Sequence, residues 1–136
     1  MGGPLIGAAL ATSAKRQPTF AEFCGWVGGG IVGATLPDLF EPAYCPHHRK
    51  FCHSGCAFVL NVAAIQSQTM LKSINALSNK AKSYHLMAAM DPANAQTYRL
   101  YGYVLEFIAG VLPGLAGGYI SHLVMDSTTA FGLPLI

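Results

Sequence analysis

Two glycine-rich stretches decide the fold, the first reading GWVGGGIVG at residues 25–33 and the second GVLPGLAGG at residues 110–118. In each stretch glycines recur every four residues, which puts them on one face of a helix. Another backbone can approach such a face closely, because no side chain stands in the way. We therefore predict two helices whose glycine faces pack on each other. Pro113 should kink the second helix, since proline removes a backbone donor.

The sequence outside these stretches also carries helix signals. Thr19 and Glu22 stand three residues apart, which is the capping-box pattern of a helix start, so we predict a helix from Phe20 to Leu36. Residues 72–99 are more polar and include four basic side chains. They predict a solvated helical excursion in which His85 is a surface histidine.

The composition favours contact with lipid or with a large partner surface. Hydrophobic residues make up 52% of the 136 residues and charged residues only 10%, against roughly 25% charged in an ordinary soluble domain. Uncharged runs at residues 51–71 and 107–125 approach the length of a bilayer core, although Asn61, Gln66 and Gln68 interrupt the first. The net charge of +2 forms no concentrated basic field, so no nucleic-acid partner is indicated.

These features together predict one all-α domain over residues 1–136. We expect a small membrane-associated helical bundle with glycine-packed helices and membrane lipid as its partner. The same glycine faces also permit a homo-oligomer.

Side chains able to bind a metal are concentrated in two short stretches, each of which follows a glycine stretch. In the later one, His122 and Asp126 lie one helical turn apart on the same face. We expect the metal-binding side chains of both stretches to converge on one centre, despite the long sequence gap between His53 and His122. The predicted metal ligands are Asp38, Glu41, His48, His53, His122 and Asp126.

Each pair has an ordinary structural explanation as well. The carboxylates could cap a helix end, and His122 could simply bond to Asp126. A buried charge without a partner costs several kcal/mol, however, so a cluster of ionisable groups in a charge-poor chain favours a metal site. Nearby Arg49 is suited to hold a phosphate or a ligand carboxylate through its planar guanidinium group. Ser54 is expected to cap a helix, because nothing marks it as an activated nucleophile.

The blocks that carry these residues resemble the YdjM-like family of inner-membrane proteins, which are predicted metal-dependent hydrolases. They read GATLPD at 33–38, EPA at 41–43, HRKFCHS at 48–54 and GYISHLVMD at 118–126. The family is distantly similar to the helical zinc-dependent phospholipases C and single-strand nucleases. The resemblance implies a location in the bacterial inner membrane.

The resemblance also implies metal ligands at particular positions, namely Asp38, His48, His53, His122 and Asp126. Where many members of the family read Asp-x-Asp-His-Pro, this chain reads DLFEP at residues 38–42. One acid is therefore lost, and Glu41 stands in the position of the histidine.

Three functions are consistent with these residues. The first is a membrane-associated metal-dependent hydrolase of phosphodiester or phosphate-ester bonds, with zinc or manganese held by histidines and carboxylates. Asp38 would bridge the metal or act as base, and Arg49 would hold the phosphate. The second is a non-catalytic oligomeric membrane protein in which the cluster is a structural metal site or an ion path. The third is a hydrogen-bond network without metal.

Overall fold

The computed structural model describes residues 17–40, 54–65 and 67–128. This part of the chain contains four helices and no strand, so the predicted all-α fold is confirmed. The helices are α1 (Phe20–Phe40), α2 (Gly55–Ile65), α3 (Gln68–Met90) and α4 (Ala95–Ser127).

Helix α1 starts where the capping pattern predicts but ends later. The Glu22 backbone N–H donates to Thr19 Oγ1 at 3.2 Å, which satisfies one of the free amides of the first turn. The predicted end at Leu36 is wrong, because the helix continues through a buried Pro37 to Phe40. Proline removes only its own N–H donor, and the adjacent turns remain helical. Asp38 therefore lies in the last turn of α1.

The glycine faces of α1 and α4 pack directly on each other, as predicted. A Cβ atom added at Gly29 would lie 2.5 Å from the Val111 carbonyl oxygen, and one added at Gly114 would lie 2.5 Å from that of Trp26. A Cβ added at any of the other glycines on these faces would also contact the backbone of the opposite helix, namely at Gly25, Gly33, Gly110 and Gly118. Since backbone lies against backbone, any side chain at these positions would force the helices apart.

The two glycine-packed helices run parallel. Gly29 lies against Val111 and Gly33 lies against Leu115, so the residue numbers of facing positions increase in the same direction along both helices. Among the described residues, α1 and α4 are the two helices long and apolar enough to cross a membrane. Because parallel spans enter from the same side, the chain between them must return to that side.

Helix α3 returns along α4 in the antiparallel direction. A short turn at residues 91–94 joins the two helices, and Tyr84 of α3 stacks near Tyr98 and Tyr101 of α4. The lysines of α3 are exposed, in agreement with the predicted polar excursion. His85 differs from the prediction, because it is half-buried against α4 rather than on the surface.

The uncharged run at residues 51–71 does not form one continuous helix. Helix α2 ends at Ile65, and Ser67 caps the start of α3 by accepting from the Met70 N–H at 3.2 Å. At 11 residues, α2 is too short to cross a bilayer core. Ser54 accepts from the Ala57 N–H at 3.1 Å, so its predicted role as a helix cap is confirmed.

Candidate metal centre

The C-terminal ends of α1 and α4 bring three of the predicted site residues together. His122 Nε2 lies 3.6 Å from Asp38 Oδ1 and 3.4 Å from Asp126 Oδ2. His122 and Asp126 share a face because they are one turn apart on α4. Asp38 reaches the same imidazole from the neighbouring helix, because the parallel packing carries the last turn of α1 alongside this part of α4.

The three side chains differ in exposure in a way that bears on their chemistry. The side chains of His122 and Asp126 are only 17% and 13% exposed, whereas that of Asp38 is 66% exposed. The imidazole and one carboxylate are thus held against the bundle, and the other carboxylate borders the exterior.

The remaining predicted residues lie outside the described part of the chain. These are Glu41, His48, Arg49 and His53. The described residues flank them on both sides, since α1 ends at Phe40 and the buried Ser54 starts the next described segment. Within residues 17–40, 54–65 and 67–128, no group of three or more His, Cys, Asp or Glu side chains could by itself hold a metal ion. The trio at His122 therefore needs further donors to form a metal site.

A second ionisable pair lies near the opposite end of the two helices. His85 Nε2 of α3 is 3.2 Å from Glu106 Oε1 of α4. Gly102 makes room for it, because a Cβ added there would lie 2.5 Å from His85 Cε1. The sequence-based interpretation missed this pair. The signal that could have found it is Glu106 itself, an acidic residue four positions before the second glycine-rich stretch, in an otherwise apolar helix.

The family model described as YdjM inner membrane protein matches residues 3–136, which is nearly the whole chain. No curated protein and no solved structure matches the chain.

Proposed function

Since this chain belongs to the YdjM inner membrane protein family and is a protein of the inner membrane, we propose that it is a metal-dependent hydrolase of phosphodiester or phosphate-ester bonds. The observation that carries the proposal is the approach of two carboxylates, from two different helices, to one histidine nitrogen. Such a mixed donor set suits zinc, and manganese is the second choice.

The separations between the donor atoms support this assignment. Two ligands of one tetrahedral zinc, each 2.0–2.2 Å from the ion, are about 3.3 Å apart. The separations of 3.4 and 3.6 Å around His122 Nε2 are close to that value. Zinc sites take three or four protein ligands. With Asp38 as the base, His122 and Asp126 supply two of them, and donors from residues 41–53 would complete the set. We assign this role to Glu41, His48 and His53.

The residues around the metal would divide the work of hydrolysis. When bound, the metal supplies Lewis-acid chemistry that polarises the phosphoryl oxygen. His122 and Asp126, held against the bundle, would fix the ion in place. The exposed Asp38 would accept the proton of the attacking water, since a carboxylate within hydrogen-bond reach of that water can act as its general base. Arg49 would hold the phosphate through two parallel hydrogen bonds.

The alternative is a non-catalytic membrane protein in which the same cluster is a structural metal site or lines an ion path. This alternative includes a homo-oligomer. The glycine faces pack on each other within one chain, so copies would have to associate through other surfaces. A structural site has all its coordination positions filled by protein, whereas hydrolysis requires one open position.

Metal content and activity should be measured on the same preparations. Protein purified in detergent without chelator is expected to contain at least one zinc or manganese per chain, and His122→Ala to lose it. His85→Ala, which removes a histidine outside the site, is the matched control and should retain the metal. Asp38→Asn is expected to retain some metal but lower hydrolysis of a model phosphodiester by about 100-fold or more, as for loss of a general base.

Each outcome assigns the site differently. Metal retained in His122→Ala, or a wild-type protein without metal, would exclude the metal centre. Metal at full occupancy without hydrolysis of any phosphoester offered would favour the structural site. Equal activity of Asp38→Asn and wild type would remove Asp38 from catalysis.

A further inference from the structure

A groove lies beside the His85–Glu106 pair, between the start of α1 and the first half of α4. Its volume is about 760 Å³, within the range of pockets that hold small ligands. The residues that matter for its chemistry are Phe20, Cys24, His85, Tyr103, Glu106 and Phe107. The walls are mainly apolar and aromatic, and one carboxylate and one imidazole lie among them.

The polar part of the groove favours a positively charged group. Glu106 is only 7% exposed, and its Oε1 atom lies 3.2 Å from His85 Nε2. A carboxylate can accept more than one hydrogen bond, so an ammonium group in the groove can bond to Glu106 while His85 stays in place.

The aromatic walls favour the same kind of ligand. Phe20 is 82% exposed, and Tyr103 and Phe107 are also exposed beside it. Aromatic faces attract an ammonium group through cation–π interactions. They also continue the apolar exterior of α4, which in an inner-membrane protein faces lipid tails. A ligand with an ammonium group and a hydrocarbon tail satisfies both parts of the groove.

The position of the groove along the helices fits the headgroup level of a bilayer. On α1, Glu22 and Asp38 are about 24 Å apart at 1.5 Å per residue. The apolar core of a bilayer is about 30 Å thick. The glycine-packed segment thus occupies most of the core, with the candidate metal centre near one surface and the groove near the other.

We propose that this groove binds a phospholipid with a primary-ammonium headgroup, its ammonium beside Glu106 and its acyl chain along Phe20 and Phe107. The lipid would lie at the opposite membrane surface from the candidate metal centre. Binding therefore does not depend on whether that centre holds a metal or cleaves a phosphoester.

The test compares two lipids that differ only in the ammonium group. The purified full chain in neutral detergent is titrated with phosphatidylethanolamine and with its N-acetylated form, which has identical acyl chains, and bound lipid is counted by native mass spectrometry. The wild type should bind the first at least 10-fold more tightly, the effect of one charge-assisted hydrogen bond. Glu106→Gln should abolish that preference. Asp91→Asn, which removes a carboxylate in the turn before α4, should keep it.

A second variant covers the case in which Glu106→Gln does not fold. Tyr103 is 53% exposed, and its ring contacts the His85 ring with 5.0 Å between centroids, so Tyr103→Leu removes an aromatic wall of the groove together with that ring contact. It should weaken binding of phosphatidylethanolamine several-fold and leave the N-acetylated lipid unaffected. Equal binding of the two lipids by the wild type would overturn the proposal. An unchanged preference in Tyr103→Leu would also overturn it. A dimer that dissociates on this substitution would overturn it too, because the groove would then be the contact with a second copy of the chain.

Discussion

Replacing Gly29 by alanine should loosen the contact between α1 and α4, whereas the same substitution at Gly28 should not. The added Cβ at position 29 would lie 2.5 Å from the Val111 carbonyl oxygen and 3.0 Å from the Leu115 nitrogen. Both atoms belong to the backbone and cannot rotate away. At position 28 the nearest atom is Phe107 Cζ at 3.9 Å, an ordinary contact. The two positions are adjacent in one helix and differ mainly in what they face.

The expected size of the effect follows from this difference. Both substitutions gain about 0.8–1.0 kcal/mol of helix propensity, because alanine is the better helix former. Only Gly29→Ala also moves the backbones apart, by about 0.9 Å to restore ordinary contact, and overpacking of this kind costs about 1–3 kcal/mol. Gly28→Ala should therefore exceed Gly29→Ala in free energy of unfolding by about 1–3 kcal/mol.

The chain contains its own reporter for the measurement. Trp26 is the only tryptophan, and it is buried at this interface against Gly110 and Gly114. Its fluorescence can follow unfolding of both variants and the wild type in mild detergent as sodium dodecyl sulfate is added. Gly29→Leu should be less stable still. Equal unfolding midpoints for Gly28→Ala and Gly29→Ala would refute the close backbone packing.

Two further predictions concern the other end of the bundle and its orientation. Gly102→Ala should push the His85 ring away from Glu106, since the added Cβ would lie 2.5 Å from the ring. Glu106→Gln should then cost less free energy of unfolding in the Gly102→Ala background than in the wild type, because the contact with His85 is already lost. Equal costs in the two backgrounds would contradict this pairing. Because α4 is long and apolar enough to cross the membrane, an epitope in the turn at residues 91–94 and one after Thr128 should lie on opposite sides of the membrane. Protease treatment of spheroplasts should cleave only one of them, and cleavage of both would contradict α4 as a span.

Several features of the fold follow from local sequence. A four-residue glycine spacing places the glycines on one helical face, because the period of a helix is set by its own backbone hydrogen bonds. The proximity of His122 and Asp126 follows from the same period. The low content of charged residues predicted a membrane protein, in agreement with the YdjM inner membrane protein family.

Other features were decided by contacts between segments far apart in the chain. No local pattern specifies that α1 and α4 run parallel, nor the register that carries Asp38 to within 3.6 Å of His122. The end of α1 was misplaced because proline ends many helices, whereas Pro37 is buried within this one. His85 resembled a surface residue because its partner, Glu106, lies on another helix.

The physical reason for this division is the range of the interactions involved. Helical periodicity and capping act over three or four residues, so the amino-acid sequence alone determined where α1 starts and which faces of α1 and α4 carry glycine. Direction, register and the pairing of distant ionisable groups depend on how whole helices fit together, and only the tertiary structure decided them.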